Sequence, residues 1–424
     1  MHRLFRIALL ALILPALSWT FSSKSAFCRE EVVLGVATSL GTLEGRESHM
    51  AVRLAAEEIN RAGGIRVGDR RFPIRVAAVD LEDASMSTPM DEILQRLERF
   101  LITERVDAIA VGFFRSEALL AGMDLIARHR TPLLGTIAMS PASEAKILES
   151  EKYRPVFRLC LNSRYLVEYL IQTMKFLRKR FGVGRVYILN QDVAWARTTV
   201  SLMLKVYFEK AGWEVLGMDI YPTGTADFTE SLEEARGLGA DVILPVFDMP
   251  ESEVLVRQWN RMGRQALLCG FISPLGGPGA WKAFQGGIEG ALNVVFELGN
   301  VPSGAYAPAE RFYEAFQKRY GKAVEAGHGP APAYDSVYVL AEAMERAGTL
   351  DSDAVIRALE RTDRQGAMGR IRFHRGHQVI FGKDPFQEAL ACVIQWNGEG
   401  GRRVVYPPSI AEGEIALPGP VSMP

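Results

Sequence analysis

Short apolar runs alternate with amphipathic segments along the chain, and the clearest example spans residues 31–65. Val32 to Thr38 is apolar and rich in β-branched residues, which predicts a buried strand. A polar loop follows, and Ser48 is a candidate cap for the next helix. The apolar positions of that helix recur at the spacing of one face, before a Gly-Gly stop: Ala51, Leu54, Ala55, Ile59 and Ala62. The segment therefore predicts one strand–helix unit.

The alternation of strands and helices continues and then restarts after Arg154, which predicts two parallel sheets covered by helices on both faces. The further strands predicted for the first sheet are residues 73–80, 106–112 and 132–135. Those predicted for the second are residues 156–159, 185–190, 214–221, 241–247 and 267–270. The fold class is therefore α/β with two doubly wound lobes, and ligands of such sheets bind beyond the carboxyl ends of the strands.

Breaks in this pattern divide the chain into five segments, in agreement with a length that exceeds one ordinary domain. Residues 1–28 are the predicted signal peptide, and residues 29–155 form the first part of lobe one. Residues 156–285 form lobe two, and residues 286–368 return to lobe one. Residues 369–424 are C-terminal strands and a tail, which we place on lobe two. Several crossings between two lobes predict a hinge.

The first residues have the features of an export signal. His2, Arg3 and Arg6 form a basic start, and Ile7 to Leu17 is an apolar core. About 11 apolar residues are fewer than the ~20 needed to span a bilayer, so the chain is not predicted to be transmembrane, with an uncleaved anchor as the alternative. Cleavage fits after Ser25 or Cys28, and lipoprotein anchoring at Cys28 is disfavoured because a bulky phenylalanine precedes it.

Charge and cysteine content exclude several functions. The chain has 49 Lys and Arg against 50 Asp and Glu, which gives no basic surface for nucleic acid. Apart from Cys28, the cysteines are Cys160, Cys269 and Cys392, with no CxxC spacing. We predict buried free thiols at Cys160 and Cys269 and neither a disulfide framework nor a metal site.

Motifs of common enzymes are missing from the sequence. Gly35, Gly41 and Gly45 do not form a dinucleotide-binding GxGxxG, and the chain contains no phosphate loop, GxSxG or HExxH. His374 and His377 lie in an HRGH turn, which favours an exposed turn over a ligand pair. The sequence therefore predicts no catalytic residue, no metal and no cofactor.

The segment from Glu31 to Ile65 resembles the opening of the type I periplasmic solute-binding proteins, the leucine/isoleucine/valine-binding family that serves ABC importers. Its loop Thr38 to Gly45, its Glu57-Glu58-Ile59-Asn60 helix end and its Gly63-Gly64-Ile65 carry the resemblance, which continues in order to about Pro408. The resemblance implies two doubly wound lobes joined by a multi-crossing hinge, a small ligand between them, a periplasmic location and an ABC permease in the inner membrane as partner.

In the resembled family, two loops of lobe one hold the carboxylate of the ligand. Ser116 matches the serine of the first loop, and capping of its own helix is the alternative role. Arg115 beside it offers a guanidinium that can bind a carboxylate, with a solvated surface arginine as the alternative. The second loop is Ala138-Met139-Ser140 here, and Met139 stands where the family has a threonine.

The resemblance also assigns residues of lobe two. Trp195 and Phe247 match aromatic residues that cover the ligand, although a tryptophan or phenylalanine near the end of an element is otherwise more often core. The loop that carries the acid for the ligand amine in the family has no carboxylate here. Glu44 or Asp248 can substitute for that acid, or can be rim residues. A carboxylate ligand without an amine therefore stays open beside branched-chain or other amino acids.

Two other functions compete with uptake. A periplasmic sensor for a membrane kinase or chemoreceptor uses the same fold, and only a neighbouring permease or kinase gene distinguishes the two. A nucleotide-dependent α/β enzyme is the third alternative, but the first strand–helix turn lacks the phosphate loop that this reading requires.

Overall fold

The computed structural model describes residues 30–416, so the predicted signal peptide lies outside the described residues. Sixteen strands are described. They are β1 Val32–Thr38, β2 Ile65–Val67, β3 Arg70–Phe72, β4 Ile74–Asp80, β5 Ala108–Val111, β6 Leu133–Gly135, β7 Val156–Arg158, β8 Arg185–Gln191, β9 Glu214–Tyr221, β10 Val242–Phe247, β11 Leu267–Ile272, β12 Leu292–Val295, β13 Arg364–Gly366, β14 Gly369–Ile371, β15 Cys392–Trp396 and β16 Arg402–Tyr406.

Thirteen α-helices lie between these strands in the described chain, together with short 3₁₀ turns and one π-helical turn at Leu204–Phe208. They are α1 Leu43–Arg61, α2 Met90–Glu104, α3 Ser116–His129, α4 Ala142–Glu149, α5 Ser163–Phe181, α6 Ala194–Met203, α7 Glu209–Ala211, α8 Thr229–Gly237, α9 Glu253–Arg261, α10 Ala280–Ala283, α11 Ala307–Tyr320, α12 Pro330–Ala347 and α13 Ser352–Leu359.

Two large sheets form the centre of the fold. The first has the order β4-β1-β5-β6-β7 and is parallel throughout. The second has the order β16-β15-β12-β11-β10-β8-β9, in which β15 is antiparallel to both of its neighbours, β12 and β16, and the other pairs are parallel. In each sheet the first long strand, β1 or β8, lies inside the sheet. The next long strand, β4 or β9, lies on one side of it and the later parallel strands lie on the other, as in doubly wound folds. The predicted α/β class with two doubly wound sheets is confirmed.

Buried strands explain why the apolar runs are continuous rather than alternating. Every residue of β1 is buried, because Val32 and Leu34 face a core cluster that includes α1, while Val33 and Ala37 face a second cluster that includes α2 and α3. Strands covered on both faces need apolar side chains on both. Helix α1 begins after Thr42, whose hydroxyl accepts from the N–H of Gly45. The prediction of Ser48 as the cap is wrong, because the cap is Thr42, six residues earlier.

Two strand placements differ from the expectation. Strand β7, expected to begin the second sheet, pairs with β6 at the edge of the first sheet. Strand β12, expected to return to the first sheet, pairs with β11 and β15 in the second. The Gly- and Pro-rich stretch before β12 forms a 3₁₀ turn at Ser273–Leu275 and the short helix α10, which together connect two neighbouring parallel strands.

Three segments connect the two sheets. Residues 159–162 join β7 to α5, residues 296–306 join β12 to α11, and residues 372–391 join β14 to β15. Helix α12 packs against α1 and α13, so the chain after the second crossing returns to the first sheet. Chain crossings of this kind allow the two halves to rotate about a narrow connection.

Candidate functional site

The candidate site lies where the strand order reverses in both sheets. In the first sheet this point is between β1 and β5, and in the second it is between β8 and β10. The loops that follow these four strands leave the sheets at their carboxyl edges, where side chains and helix starts are free to bind a ligand. These loops face each other across a cleft.

The two loops of the first sheet are tied together by Asp83. Its carboxylate accepts from the Ser39 hydroxyl at 2.9 Å and from the N–H groups of Phe114 and Arg115 at 2.7 and 3.2 Å. Burial raises the pKa of Asp83, and these hydrogen bonds act against the shift. The loop before α1 is equally close-packed, since a β-carbon on Gly45 would lie 2.0 Å from Ser39 O. Asp83 is a supporting residue that sequence reasoning did not identify as such.

Ser116 joins the loop after β5 to the loop after β6. It is 3% exposed, and its Oγ accepts from the N–H groups of Met139 and Ser140 at 3.2 and 3.0 Å. It is the first residue of α3, and no side chain caps that helix. The capping alternative is therefore wrong, because the hydroxyl oxygen is directed at the neighbouring loop. The hydroxyl proton stays available for an acceptor.

A buried arginine binds the backbone carbonyls of the loop at residues 138–140. Arg158 is 1% exposed, and its Nη1 donates to Ala138 O at 3.1 Å and to Ser140 O at 2.8 Å. Its Nε donates to Gln378 Oε1 at 2.9 Å. The backbone of this loop is thus fixed on both sides, with its carbonyls bound to Arg158 and two of its N–H groups bound to Ser116.

Two neighbouring cavities lie in the cleft, here called the inner and the outer chamber, and both are lined by Glu44, Phe114, Trp195 and Asp248. The inner chamber, of about 20 Å³, is closed by Ile137, Met139, Phe271, Phe296 and His328. The outer chamber, of about 230 Å³, is lined further by residues from both sides of the cleft: Thr42, Leu43, Ala84, Met86, Arg115, Ser116, Glu117, Gln191, Val193, Thr223, Met249, Pro250, Glu251, Ser273 and Pro274.

Two hydrogen bonds between residues that line or border the cavity cross the cleft. The Ser273 hydroxyl, after β11, donates to Glu44 Oε1 in the first turn of α1. The N–H of Ala194, at the start of α6, donates to Glu117 Oε1 at 3.3 Å. Both carboxylates come from the first-sheet side, and both donors from the second-sheet side. The two sides are therefore in direct contact around the cavity.

Trp195 and Asp248 form one unit on the second-sheet side. Trp195 is 7% exposed, its Nε1 donates to Asp248 Oδ2 at 2.7 Å, and its ring packs edge-on against Phe271 and Phe296. The N–H of Asp248 donates to Gln191 Oε1 at 2.9 Å. Trp195 thus presents an apolar wall to the cavity while its polar atom orients a carboxylate.

Not every predicted site residue lines the cavity. Glu44, Arg115, Ser116, Met139, Trp195 and Asp248 do. Phe247 does not, because its ring is fully buried against Phe228 in the core on the far face of β10. Its assignment as a covering aromatic is corrected, and Phe114 and Phe271 supply that surface. Ala138 and Ser140 are buried supports of the loop and do not line the cavity.

His328 is a cavity residue that sequence reasoning missed. Its Nδ1 lies 3.0 Å from Glu297 Oε1 and its Nε2 lies 2.7 Å from Ile137 O, so both ring nitrogens face acceptors and the imidazolium form satisfies both. Burial acts to lower the pKa of His328, but the charge and hydrogen bond of Glu297 outweigh it and raise the pKa. Glu297 also accepts from the N–H of Leu161, which connects the cavity floor to two of the inter-sheet segments.

The two shared carboxylates are destabilised in their charged forms. Burial raises the pKa of Glu44, which is 6% exposed, and the charge of nearby Asp248 adds to the effect. Removal from water likewise raises the pKa of Asp248, against the hydrogen bonds from Trp195 and Gln191. A cation placed between these groups would relieve both shifts.

The cysteines and His377 do not line the cavity. Cys160, Cys269 and Cys392 are free and buried, as predicted for the first two, and burial raises the pKa of each thiol to about 12. His377 is buried and stacked on Phe157 at 4.0 Å between ring centres, so the expectation of an exposed turn is wrong there.

Within residues 30–416, no cluster of three or more His, Cys, Asp or Glu is arranged to hold a metal ion. No helix of this described part has the length and apolar character needed to cross a bilayer.

Comparison with known proteins connects this geometry to a family. The sequence profile described as periplasmic binding protein matches residues 32–383. The Leu/Ile/Val-binding protein homolog 7 of Brucella suis is 25% identical over 389 residues, covering 89% of this chain and 90% of the relative.

Two solved structures show the same fold. The branched-chain amino acid transporter substrate-binding protein of Streptococcus pneumoniae, solved with isoleucine, aligns with a TM-score of 0.71 at 19% identity and covers 89% of this chain and 100% of its own. A periplasmic binding protein type 1 from Bordetella pertussis aligns with a TM-score of 0.71 at 22% identity and covers 88% of this chain and 99% of its own.

Proposed function

We propose that this chain, which belongs to the periplasmic binding protein family, is the substrate-binding component of an ABC-type uptake system. The observation that carries the proposal is the cavity enclosed by the strand-end loops of both sheets, at the switch point of each. A mostly apolar cavity with a few converging polar groups is typical of a small-molecule site, and the volume of about 230 Å³ indicates a small solute.

Hinge closure is the mechanism that we propose for binding. We assign the first sheet with α11 to α13 to lobe one and the second sheet with β15 and β16 to lobe two. A solute docks on the loops of lobe one, and rotation about the three connecting segments then brings lobe two over it. The contacts of Ser273 with Glu44 and of Ala194 with Glu117 exist only when the lobes are together. Ligand contacts of the same kind would shift the population towards this closed form.

The proposed solute carries a carboxylate, as a branched-chain or other amino acid or an aromatic or aliphatic acid does. Arg115 and Ser116 lie at the start of α3 in the outer chamber, where the free N–H groups and the helix dipole favour an anion. The Nε of Arg115 is buried and has no hydrogen-bond partner among the described residues, so the guanidinium has donor capacity left. Met139 and Trp195 offer the apolar surface.

Location and partner follow from the same proposal. A binding component acts outside the inner membrane, which agrees with the export signal read in residues 1–28, and it delivers its solute to a membrane permease. The name of the Brucella relative and the isoleucine bound to the Streptococcus protein support amino acids as the first class to test. A catalytic role is not part of the proposal.

A thermal-shift and calorimetric screen of the chain from Glu30 onward tests the proposal. We expect one class among amino acids, amides and aromatic or aliphatic acids to raise the melting temperature and to bind with one site per chain. Arg115→Ala should weaken that binding, while Arg99→Ala, an exposed arginine on α2, should not. Stabilisation by nucleotides alone would instead favour the enzyme reading, and a response to none of these compounds would refute the proposed solute class.

A further inference from the structure

A buried carboxylate lies where two of the segments that connect the sheets meet. Glu297 is fully buried in the segment at residues 296–306. Its Oε1 accepts from the N–H of Leu161, in the segment at residues 159–162, at 3.2 Å. Its Oε2 accepts from the Nδ2 of Asn300 and from the N–H of Gly329, each at 3.1 Å. Glu297 therefore ties both connecting segments to the residue that precedes α12.

His328 connects this carboxylate to the floor of the cavity. Its Nδ1 lies 3.0 Å from Glu297 Oε1, and its Nε2 lies 2.7 Å from the carbonyl oxygen of Ile137, next to the loop at residues 138–140. The ring also packs edge-on against Phe296, with 4.9 Å between ring centres. Ile137 and His328 both line the inner chamber. These contacts form a continuous path from the cavity floor to the two connecting segments.

The bridge made by His328 depends on its protonation state. Both partners of the ring are acceptors, so both ring nitrogens must carry a proton, and a neutral imidazole has to give up one of the two hydrogen bonds. The charged groups that face the ring are the carboxylates of Glu297, of Glu44 on α1 and of Asp248 after β10. Burial acts to lower the pKa of His328, but Glu297 and Glu44 favour the charged ring and raise it.

The groups around Glu297 leave its charge to His328. The thiols of Cys160 and Cys392 face this carboxylate, and burial raises the pKa of each to about 12, so both are neutral. The other donors to Glu297 are two backbone N–H groups and the Asn300 amide, which are neutral as well. The carboxylate and the imidazolium therefore neutralise each other inside the protein.

We infer that His328 and Glu297 are positioning residues for hinge closure, because the doubly donating ring of His328 holds the cavity floor at Ile137 against the two connecting segments. The inference rests on the proposed function and goes beyond it, since it assigns the coupling between cavity and hinge to a pair whose hydrogen bonds are made within the protein. Loss of one ring proton releases either the floor or the carboxylate, and the solute then binds to a floor that is no longer fixed to the hinge.

Calorimetry on the chain from Glu30 onward tests this inference with four probes, which are leucine, phenylalanine, isocaproate and hydrocinnamate. For each probe that binds, the dissociation constant of His328→Gln is divided by that of the wild type, in a pH series that rises from 6.5, the ordinary pKa of a histidine. We expect a ratio of about 10 at the start, the effect of one hydrogen bond. The ratio should fall towards about 1 as the pH rises through the raised pKa of His328, because glutamine and a neutral imidazole both lack the second donor nitrogen.

The pH dependence separates positioning from a merely structural role. A ratio that stays constant over the series, at about 1 or at any higher value, would overturn the inference and leave the proposed function standing. Binding by none of the four probes would overturn both. His129→Gln is the matched control, because its ring on α3 lies 3.3 Å from Glu98 and away from the cavity. Its ratio should be about 1 at every pH.

Nuclear magnetic resonance of the unliganded wild-type chain, with ¹⁵N-labelled histidine, tests the bridge without a variant. His328 is identified by its contact with the Phe296 ring. We expect both of its ring nitrogens to carry a proton at pH values above 6.5, where an ordinary histidine is neutral. A neutral His328 ring there would overturn the inference, also in the case that His328→Gln does not fold.

Discussion

Replacement of Ser116 by alanine tests the link between the two loops of lobe one. Its Oγ accepts from the N–H groups of Met139 and Ser140 in a position that is 3% exposed. The alanine variant leaves both buried amides without that acceptor. An unsatisfied buried group costs about 1 to 3 kcal/mol, and because water can partly replace the lost oxygen we expect the free energy of unfolding to fall by about 2 to 4 kcal/mol. The same variant should also weaken solute binding, because the donor proton of the hydroxyl is lost and the loop at residues 138–140 is no longer held in place.

Urea unfolding and calorimetry measure the two effects, and Ser140→Ala is the matched control. The Ser140 hydroxyl accepts from one N–H, that of Ala142 at the start of α4, at 3.2 Å. Its loss should cost about 1 kcal/mol, as for a helix cap. Ser116→Ala stability within about 0.5 kcal/mol of wild type would refute the reasoning, because differences that small are typical of surface positions.

Three further predictions follow from the site and its supports. Arg158→Met should lower the free energy of unfolding by about 3 kcal/mol, because it removes the buried hydrogen bonds to Ala138 O and Ser140 O and leaves Gln378 Oε1 without a donor. Arg164→Met on the surface should change it by less than about 1 kcal/mol in urea unfolding. Phe247→Leu should reduce the free energy of unfolding by about 1 kcal/mol and leave solute affinity unchanged, whereas Trp195→Phe should lower solute affinity. Equal affinities of the two variants in calorimetry would contradict the assignment of Trp195 to the cavity and of Phe247 to the core. Because burial raises the pKa of Glu44, its contribution to stability is present at low pH and is lost as the pH rises through the raised value. Unliganded Glu44→Gln should therefore show a flatter fall of melting temperature than wild type as the pH rises above 4.5, the ordinary value of a glutamate.

The sequence predicts most of the fold because both sheets are buried on both faces. Short apolar runs such as Val32 to Thr38 are stable in a chain of this size as buried strands. The helices between them show clear apolar stripes. The neighbours of each strand are less predictable. Strands β7 and β12 were assigned to the wrong sheet because the periodicity of a segment is set by its own burial and does not depend on which strand it pairs with.

The site residues that were predicted correctly are those that follow directly from their position in the sequence. Residues just after strands, such as Arg115 and Asp248, lie in the cavity because parallel strands end at one edge. Phe247 was misplaced because it is still part of its strand, and its side chain packs against Phe228 in the core on one face of the sheet, whereas the cleft lies beyond the carboxyl edge. His328 lies at the start of a helix distant in sequence, and its role depends on contacts with Ile137 and Glu297 that no local pattern encodes.

The proposed mechanism requires that a small solute close the two lobes on each other. Fluorescence energy transfer between labels at Glu92→Cys on α2 and Glu230→Cys on α8 measures this directly. Labelling is selective in the chain from Glu30 onward, because that chain omits Cys28 and because Cys160, Cys269 and Cys392 are buried. We expect transfer efficiency to change with the same half-saturation concentration as calorimetric binding, as the closed population grows. Saturating, calorimetrically measured binding with no change in transfer efficiency would contradict it.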